Sequence, residues 1–217
     1  MSGILYLCGT PIGNLEDMTF RAVRTLKEAD LIAAEDTRNS IKLLNHFEIH
    51  TPMTSYHEYN KIEKGRELVE KMRQGMKIAL ITDAGMPGIS VPGEELTAMA
   101  LGAGIPVTAV PGPAACVTGL VLSGLPSRRF AFEAFLPQDK KERREILREL
   151  KEEFRTTVLY EAPHRLLRTL EELREVLGES RRAAVCRELT KKHETLFRGT
   201  LGEACAHYRQ EAPRGEC

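Results

Sequence analysis

Lys77-Ile-Ala-Leu-Ile-Thr-Asp83-Ala-Gly-Met-Pro-Gly-Ile-Ser-Val-Pro-Gly-Glu94 decides the fold class. Its first six residues, Lys77–Thr82, form a short apolar and partly β-branched run that reads as a buried strand. The glycines and prolines that follow cannot continue a strand, so the chain must turn. Asp83 falls at the expected carboxyl end of that strand, where a carboxylate can accept from a ligand ammonium or hydroxyl. Gly85, Pro87 and Gly88 impose an irregular backbone beside it, and an ordinary turn needs fewer such residues.

Outward from this stretch the same unit recurs. Ile4–Cys8 runs into Cys8-Gly-Thr-Pro-Ile-Gly-Asn14, and Ile105–Val110 runs into Val110-Pro-Gly-Pro-Ala-Ala-Cys116. Leu31–Glu35, Arg129–Phe135, Thr156–Tyr160, Ala183–Arg187 and Glu194–Arg198 complete the strand candidates. Between them lie amphipathic stretches: Ala22, Val23, Leu26 and Ala29 share one helical face, as do Leu68, Val69 and Met72. Strand followed by helix, repeated, means α/β. Ligands of open α/β sheets bind beyond the carboxyl ends of the strands, so three glycine- and proline-lined loops in one half-chain point to a shared crevice. The first loop is not G-x-G-x-x-G and no Walker lysine follows it, which removes the usual dinucleotide and P-loop chemistries.

Leu122-Ser-Gly-Leu-Pro-Ser127 closes a helix with residues that cannot extend it. The chain therefore reads as two small α/β domains, 1–125 carrying the ligand loops and 126–217 following. Lys+Arg 31 cancels Asp+Glu 31 over the 217 residues, so no whole-molecule field recruits nucleic acid or membrane, and any anionic partner must meet a local patch. The 5 cysteines are scattered without a C-x-x-C pair, which argues against a metal centre and fits a reducing cytoplasm. No apolar run approaches the ~20 residues that span a bilayer, and the first residues lack a basic n-region, so neither membrane insertion nor secretion is expected. The charge-dense run from Gln138 to Phe154 keeps an apolar stripe of Ile146, Leu147, Leu150 and Phe154. It reads as a solvated amphipathic helix, or as a phosphate-contacting edge if the Lys140-Lys141 and Arg143-Arg144 doublets are free.

Seven motifs carry a family resemblance: Gly9-Thr-Pro-Ile-Gly-Asn-Leu15, Ala34-Glu-Asp-Thr-Arg38, Thr82-Asp-Ala-Gly-Met-Pro-Gly-Ile-Ser90, Pro111-Gly-Pro-Ala-Ala115, Phe132-Glu-Ala-Phe-Leu-Pro137, Tyr160-Glu-Ala-Pro-His-Arg165 and Arg187-Glu-Leu-Thr-Lys-Lys-His-Glu194. In this order they resemble the ribosomal RNA small subunit methyltransferase I family, the cytidine 2'-O-methylating branch of the tetrapyrrole-methylase superfamily. The resemblance implies S-adenosylmethionine as methyl donor, bound between two α/β domains, a small-subunit ribosomal RNA acceptor, and a homodimer. It also implies donor contacts from Pro11, Gly13, Asp83, Met86, Ala115 and Cys116, and from Glu161, Ala162 and the backbone around Leu189. The weak overall field favours an assembled subunit over free RNA as the acceptor.

Two departures from the family pattern stand out. Val91 occupies a position where relatives carry Asp; read as a lost N-cap before Pro92, the change costs ~1 kcal/mol, partly made up by Ser90. Ala212-Pro-Arg-Gly-Glu-Cys217 ends where relatives continue into a further strand, so the second domain is expected to lack its last strand.

Methyl transfer to a ribose hydroxyl needs no metal but does need the proton removed. Glu35, Asp36 and His57 are the candidate bases or orienting groups. Arg38, Tyr56, Glu58, Arg165, Lys191 and Lys192 are the candidate RNA contacts, with Arg38 able to grip a phosphate bidentately. Each has a plainer reading: Asp36 and Thr37 as a helix cap, His57 as an ordinary histidine, Tyr56 and Tyr59 as packing residues, Arg165 as part of a helix start. Two other functions stay open, a methyltransferase of the same superfamily with a tetrapyrrole or other small acceptor, and a non-catalytic binding module.

Overall fold

The computed structural model describes residues 3–211 and 213–217; Met1 and Ser2 of the amino-terminal run and Ala212 of the carboxyl-terminal run lie outside the described residues. Its contacts group into two compact units, Met1–Ala114 and Ala115–Cys217.

The first unit is built on a sheet of five strands, β1 (Ile4–Cys8), β2 (Leu31–Ala34), β3 (Met53–Ser55), β4 (Lys77–Ile81) and β5 (Val107–Val110), in the order β3-β2-β4-β1-β5. Every pairing is parallel. Strands buried on both faces should be apolar throughout rather than alternating, and the Leu-Ile-Ala-Ala of β2 and the Ile-Ala-Leu-Ile of β4 are fully buried. Successive side chains point to opposite faces. Leu31, Ala33, Ile78 and Leu80 pack with Leu68 and Met72 of α3 (Lys61–Arg73) and with Leu96 and Ala100 of α4 (Glu94–Gly102). Ile32, Ala34, Ala79 and Ile81 pack with Ala22 and Leu26 of α1 (Phe20–Glu28) and with Leu44 of α2 (Thr37–His46). Helices thus cover both faces.

This arrangement defines where a ligand can enter. β1 and β4 are neighbours, yet the helix that follows β1 lies on one face and the helix that follows β4 on the other. The chain changes face between these two strands, which makes their carboxyl ends the topological switch point where open α/β sheets bind ligands.

β3 escapes sequence reading because it has only three residues, with Pro52 before it and polar Thr54 and Ser55 within it. Its partner β2 supplies the order, pairing Ala34 with Ser55. Val91 is a second correction: α4 starts at Glu94 with Gly93 as its N-cap residue, so Val91 does not occupy a cap position. Gly93 has φ 150° and its α-carbon hydrogens face the Gly88 amide, a Cβ there lying 2.7 Å from that nitrogen. This close approach fixes the helix start after Gly93 and leaves no cap at residue 91 for Ser90 to replace.

In the second unit, β6 (Phe130–Phe135) pairs in parallel with β7 (Thr156–Tyr160), and β8 (Arg182–Arg187) pairs antiparallel with β9 (Thr195–Thr200). α5 (Ala115–Ser123), α6 (Lys140–Glu152), α7 (Pro163–Leu177) and α8 (Leu201–Gln210) complete it. The compact units divide before α5, while the break in sequence falls after it, because α5 packs through Gly119 against Cys186 and Leu189. The segment Arg214–Cys217 joins the two ladders: the Glu161 N–H donates to the Cys217 carbonyl (3.3 Å) and the Glu188 N–H to that of Glu216 (2.9 Å).

The α6 doublets resolve unequally. Arg143 turns inward, its Nε 2.6 Å from Glu172 and its guanidinium donating to Thr169 Oγ1 at 2.8 Å, while Thr169 donates to the buried Glu161 carboxylate at 2.6 Å. Lys140, Lys141 and Arg144 remain exposed. Thr169→Val would leave Glu161 and Arg143 each short of a partner, and a loss of about 1–3 kcal/mol is expected in urea denaturation; an unchanged midpoint would show the network to be dispensable.

Candidate functional site

All five carboxyl ends of the parallel sheet lie along one edge, with Cys8 opposite Val110 and Ala34 opposite both Ile81 and Ser55. The loops after β1, β4 and β5 are locked together there. Thr10 and Gly85 exchange backbone hydrogen bonds of 3.0 and 3.1 Å, and the buried Thr10 hydroxyl donates to the Thr82 carbonyl at 3.0 Å. The Gly9 N–H donates to the Val110 carbonyl. Gly9 and Gly112 touch backbone to backbone: a Cβ on Gly9 would stand 2.7 Å from the Gly112 α-carbon and 2.7 Å from Met86 Sδ. Pro11 is buried in this junction, whereas Gly13 is exposed. The convergence expected from the three loops is therefore present within the first unit.

Three carboxylates stand on the same edge in different states. Asp83 is exposed; its Oδ2 accepts from Asn39 Nδ2 at 3.1 Å, and its N–H donates to Glu35 Oε2 at 3.2 Å. Burial pushes the Glu35 carboxyl above the ordinary glutamate range, the Asp83 N–H pulls it back, and the negative charges of Asp83 and Asp36 add to the rise. Asp36 behaves oppositely: hydrogen bonds from Arg38 hold it down at about 2. It caps α2 through the Arg38 N–H (2.8 Å) and grips the Arg38 side chain at 3.1 and 2.7 Å. Asp36 is thus a cap and a guanidinium partner, a poor proton acceptor, while Glu35 is poised closer to neutrality. Arg38 itself stays 88% exposed.

β3 delivers Tyr56, His57, Glu58 and Tyr59. Tyr56 corrects the sequence reading: its ring is fully buried between the sheet and Leu68 and Leu96, so it has no face to stack on a base. Tyr59 is 97% exposed and meets the His57 ring edge-on at 6.1 Å, making it the available aromatic surface. The His57 N–H donates to Asn60 Oδ1 at 2.8 Å, and its Nδ1 is buried without a hydrogen-bond partner among the described residues. Glu58 pairs with Lys61, which also reaches Glu95.

In the second unit several expected contacts have partners of their own. The Cys116 N–H donates to the Tyr160 hydroxyl at 3.0 Å, tying the first turn of α5, where Ala115 is half-buried, to the end of β7. Burial pushes the Tyr160 hydroxyl up to about 12. Glu161 accepts from Thr169 and from the Ala162 N–H (2.8 Å) and forms an ion pair of 2.9 Å with Arg165. Leu189 faces Gly119. Lys191 pairs with Glu188 and Glu216 at 3.0 and 2.9 Å, whereas the adjacent Lys192 is exposed. Among the described residues no group of three His, Cys, Asp or Glu side chains is arranged to hold a metal ion, and no helix is long and apolar enough to cross a membrane.

Sequence reading missed Asn39, Thr10 as the link between loops, and the Arg143–Thr169–Glu161 chain. Their signals were weak because each is an ordinary helix or loop residue whose partner lies well outside its own turn, from 8 positions for Thr169 and Glu161 to 72 for Thr10 and Thr82. The residues of the first unit suit the expected donor: Gly9 and Gly112 have no room for side chains because their backbones pack against each other, which draws the β1 and β5 loops together, and Asp83 offers an exposed carboxylate for an ammonium or hydroxyl. The buried Cys8 thiol nearby, pushed up to about 12 by burial, is inert.

The family model for tetrapyrrole (corrin/porphyrin) methylases matches residues 4–205. Among named relatives, ribosomal RNA small subunit methyltransferase I of Halalkalibacterium halodurans is 54% identical over 99% of this chain and 74% of its own length. The Synechocystis protein of the same name is 53% identical over 99% of this chain and 77% of its own length. Among solved structures, uroporphyrin-III C-methyl transferase from Thermus thermophilus, complexed with S-adenyl homocysteine, shares the fold at TM-score 0.64 and 21% identity, covering 99% of this chain and 94% of that one. The switch-point topology, the three-loop junction and nearly full-length identity above one half agree: this chain belongs to the tetrapyrrole (corrin/porphyrin) methylase family, within the group of ribosomal RNA small subunit methyltransferase I.

Proposed function

We propose that this chain is an S-adenosylmethionine-dependent methyltransferase acting on the 2'-hydroxyl of a cytidine in small-subunit ribosomal RNA. The observation that carries the reading is the placement of Asp83, Glu35 and Arg38 on one sheet edge beside the Gly9–Gly112 junction. The name shared by relatives at 54% and 53% identity supports the acceptor.

When bound, the sulfonium supplies an electrophilic methyl group and leaves as a thioether. Asp83 takes the donor's polar end, and the backbone of residues 9–13, 84–88 and 111–116 lines its body. Pro11, Gly13, Met86, Ala115 and Cys116 contribute there. Glu161, Ala162 and the backbone around Leu189 are the further donor contacts that the family resemblance implies, the Glu161 carboxylate holding its loop through Thr169 and Arg165. Glu35 accepts the ribose proton as the oxygen attacks, its raised pKa bringing it nearer the working pH. His57 orients the acceptor from the adjacent strand. Arg38, held by Asp36 but otherwise open to solvent, grips a phosphate, and Lys192 and Tyr59 extend that surface. Arg165, Lys191 and Glu58 serve their loops through ion pairs. The enzyme works as a cytoplasmic homodimer on an assembled subunit.

Labelled donor incubated with unmodified small subunits tests the assignment, with ribose methylation of a cytidine as the expected product; label appearing only in a small-molecule acceptor would overturn the acceptor. Two variants separate the halves of the site. Asp83→Ala should weaken binding of S-adenosylhomocysteine by about tenfold or more, the cost of a lost charge-assisted hydrogen bond. Arg38→Ala should leave that affinity alone and lower subunit methylation by about 10–100-fold. Normal turnover by Arg38→Ala would place the acceptor elsewhere.

A further inference from the structure

Asp83 sits on a loop and is exposed, so its carboxylate needs something to hold it. Two groups from the neighbouring β2–α2 segment do this. Glu35 Oε2 accepts the Asp83 N–H at 3.2 Å and fixes the backbone, while Asn39 Nδ2 donates to Asp83 Oδ2 at 3.1 Å and fixes the side chain. The two anchors reach from 48 and 44 residues away, and Asn39 rides on the first turn of α2, next to Arg38.

An amide suits this position for a physical reason. Asp83 stands in a negative neighbourhood, with Glu35 and Asp36 close enough to act on one another and Arg38 the compensating cation. A lysine or arginine here would neutralise the Asp83 charge that a donor ammonium needs, and a carboxylate would repel it. Asn39 instead orients one oxygen with a neutral N–H and leaves the charge intact.

We propose that Asn39 is a positioning residue for donor binding: with Glu35 it holds the Asp83 carboxylate in its binding orientation, and it ties that orientation to the helix that carries Arg38. The inference rests on the reading of Asp83 as a donor contact. It extends that reading, because movement of α2 on engaging the acceptor is then felt directly by the donor-binding carboxylate.

The test is titration of the full chain with S-adenosylhomocysteine between pH 5 and 8, with thermal melting as a check on folding. Asn39→Ala should weaken affinity by about tenfold, the value of one hydrogen bond to a charged group. Asn39→Asp keeps shape but sets two carboxylates against each other beside Glu35, Asp36 and Arg38. Its affinity should be lowest at pH 8 and recover as the pH falls and the pair takes up a shared proton. A residue that merely stabilised α2 would shift melting without producing that pH profile. Wild-type affinity in Asn39→Ala, or a wild-type pH profile in Asn39→Asp, overturns the inference. Asp83→Ala run alongside distinguishes the two failures. If it weakens binding while the Asn39 variants do not, only the positioning role falls. If it binds normally, the donor-contact reading falls and takes the positioning role with it.

Discussion

Glu35→Gln is expected to slow methyl transfer by about 10²–10⁴-fold, the usual contribution of a positioned general base. The substitution is informative because a glutamine oxygen can still accept the Asp83 N–H, so the loop stays held while the proton acceptor is lost. Donor affinity should therefore hardly change, and the whole effect should lie in the rate with saturating donor. The sign of the pH dependence follows from the raised pKa of Glu35, whose chief cause is burial. The active form is the ionised one, so the wild-type rate should fall on the acid side at a pH above the ordinary glutamate range, and that limb should vanish in the variant. The same shift runs the other way for stability. A carboxyl whose folded pKa is raised binds its proton more tightly when folded, so its stabilising contribution is present at low pH and is lost as pH rises through the folded value. At neutral pH Glu35→Gln should accordingly not lower the melting temperature. A variant that turns over normally, or that keeps the acid limb, would move the base to His57.

Gly9→Ala is expected to be the most damaging single-methyl change in the first unit's ligand loops. The added carbon would lie 2.7 Å from the Gly112 α-carbon, 2.8 Å from the Gly112 nitrogen and 2.7 Å from Met86 Sδ. The methionine could swing away, but the Gly112 backbone is anchored by the β1–β5 register, where Cys8 faces Val110. The β1 and β5 loops must therefore separate, at a cost of about 1–3 kcal/mol for overpacking. Donor affinity should fall by more than tenfold, because Met86 and the backbone around residues 9–13 and 111–113 move together. Gly102→Ala is the control: no atom lies within 4 Å of its Cβ, and it occupies the last position of α4. It should be neutral, or stabilising by up to about 1 kcal/mol through helix propensity. Calorimetric titration of both variants with S-adenosylhomocysteine decides the matter, and equal affinities would mean that the junction is not part of the donor site.

The contrast between Glu35 and Asp36 shows why adjacent residues with one chemistry end in different states. In sequence they are two carboxylates after a strand. In the fold Asp36 meets the first turn of α2 and the Arg38 guanidinium, while Glu35 points toward the β4 loop and is half-buried. Tyr56 and Tyr59 divide in the same way. Three positions apart, one closes the core over Leu68 and Leu96 and the other stands in solvent, because the turn after β3 reverses the chain between them. The cap and ion pair of Asp36 are local, whereas the settings of Glu35 and Tyr56 come from the β4 loop and from α3 and α4, far away in the chain.

The α/β alternation, the strand positions other than β3 and the glycine–proline loops were legible along the chain, because hydrophobic period and backbone permissiveness are local properties readable within about ten residues. The motifs also placed the chain in its family. The strand order β3-β2-β4-β1-β5, and with it the switch point between β1 and β4, emerges from the folded chain alone. That order brings Gly9 against Gly112 and sets Asn39 on Asp83 across 44 residues. The physical reason is that strand pairing, burial and the settings of Glu35 and Asp83 are properties of neighbours distant in the chain, which no short window of residues contains.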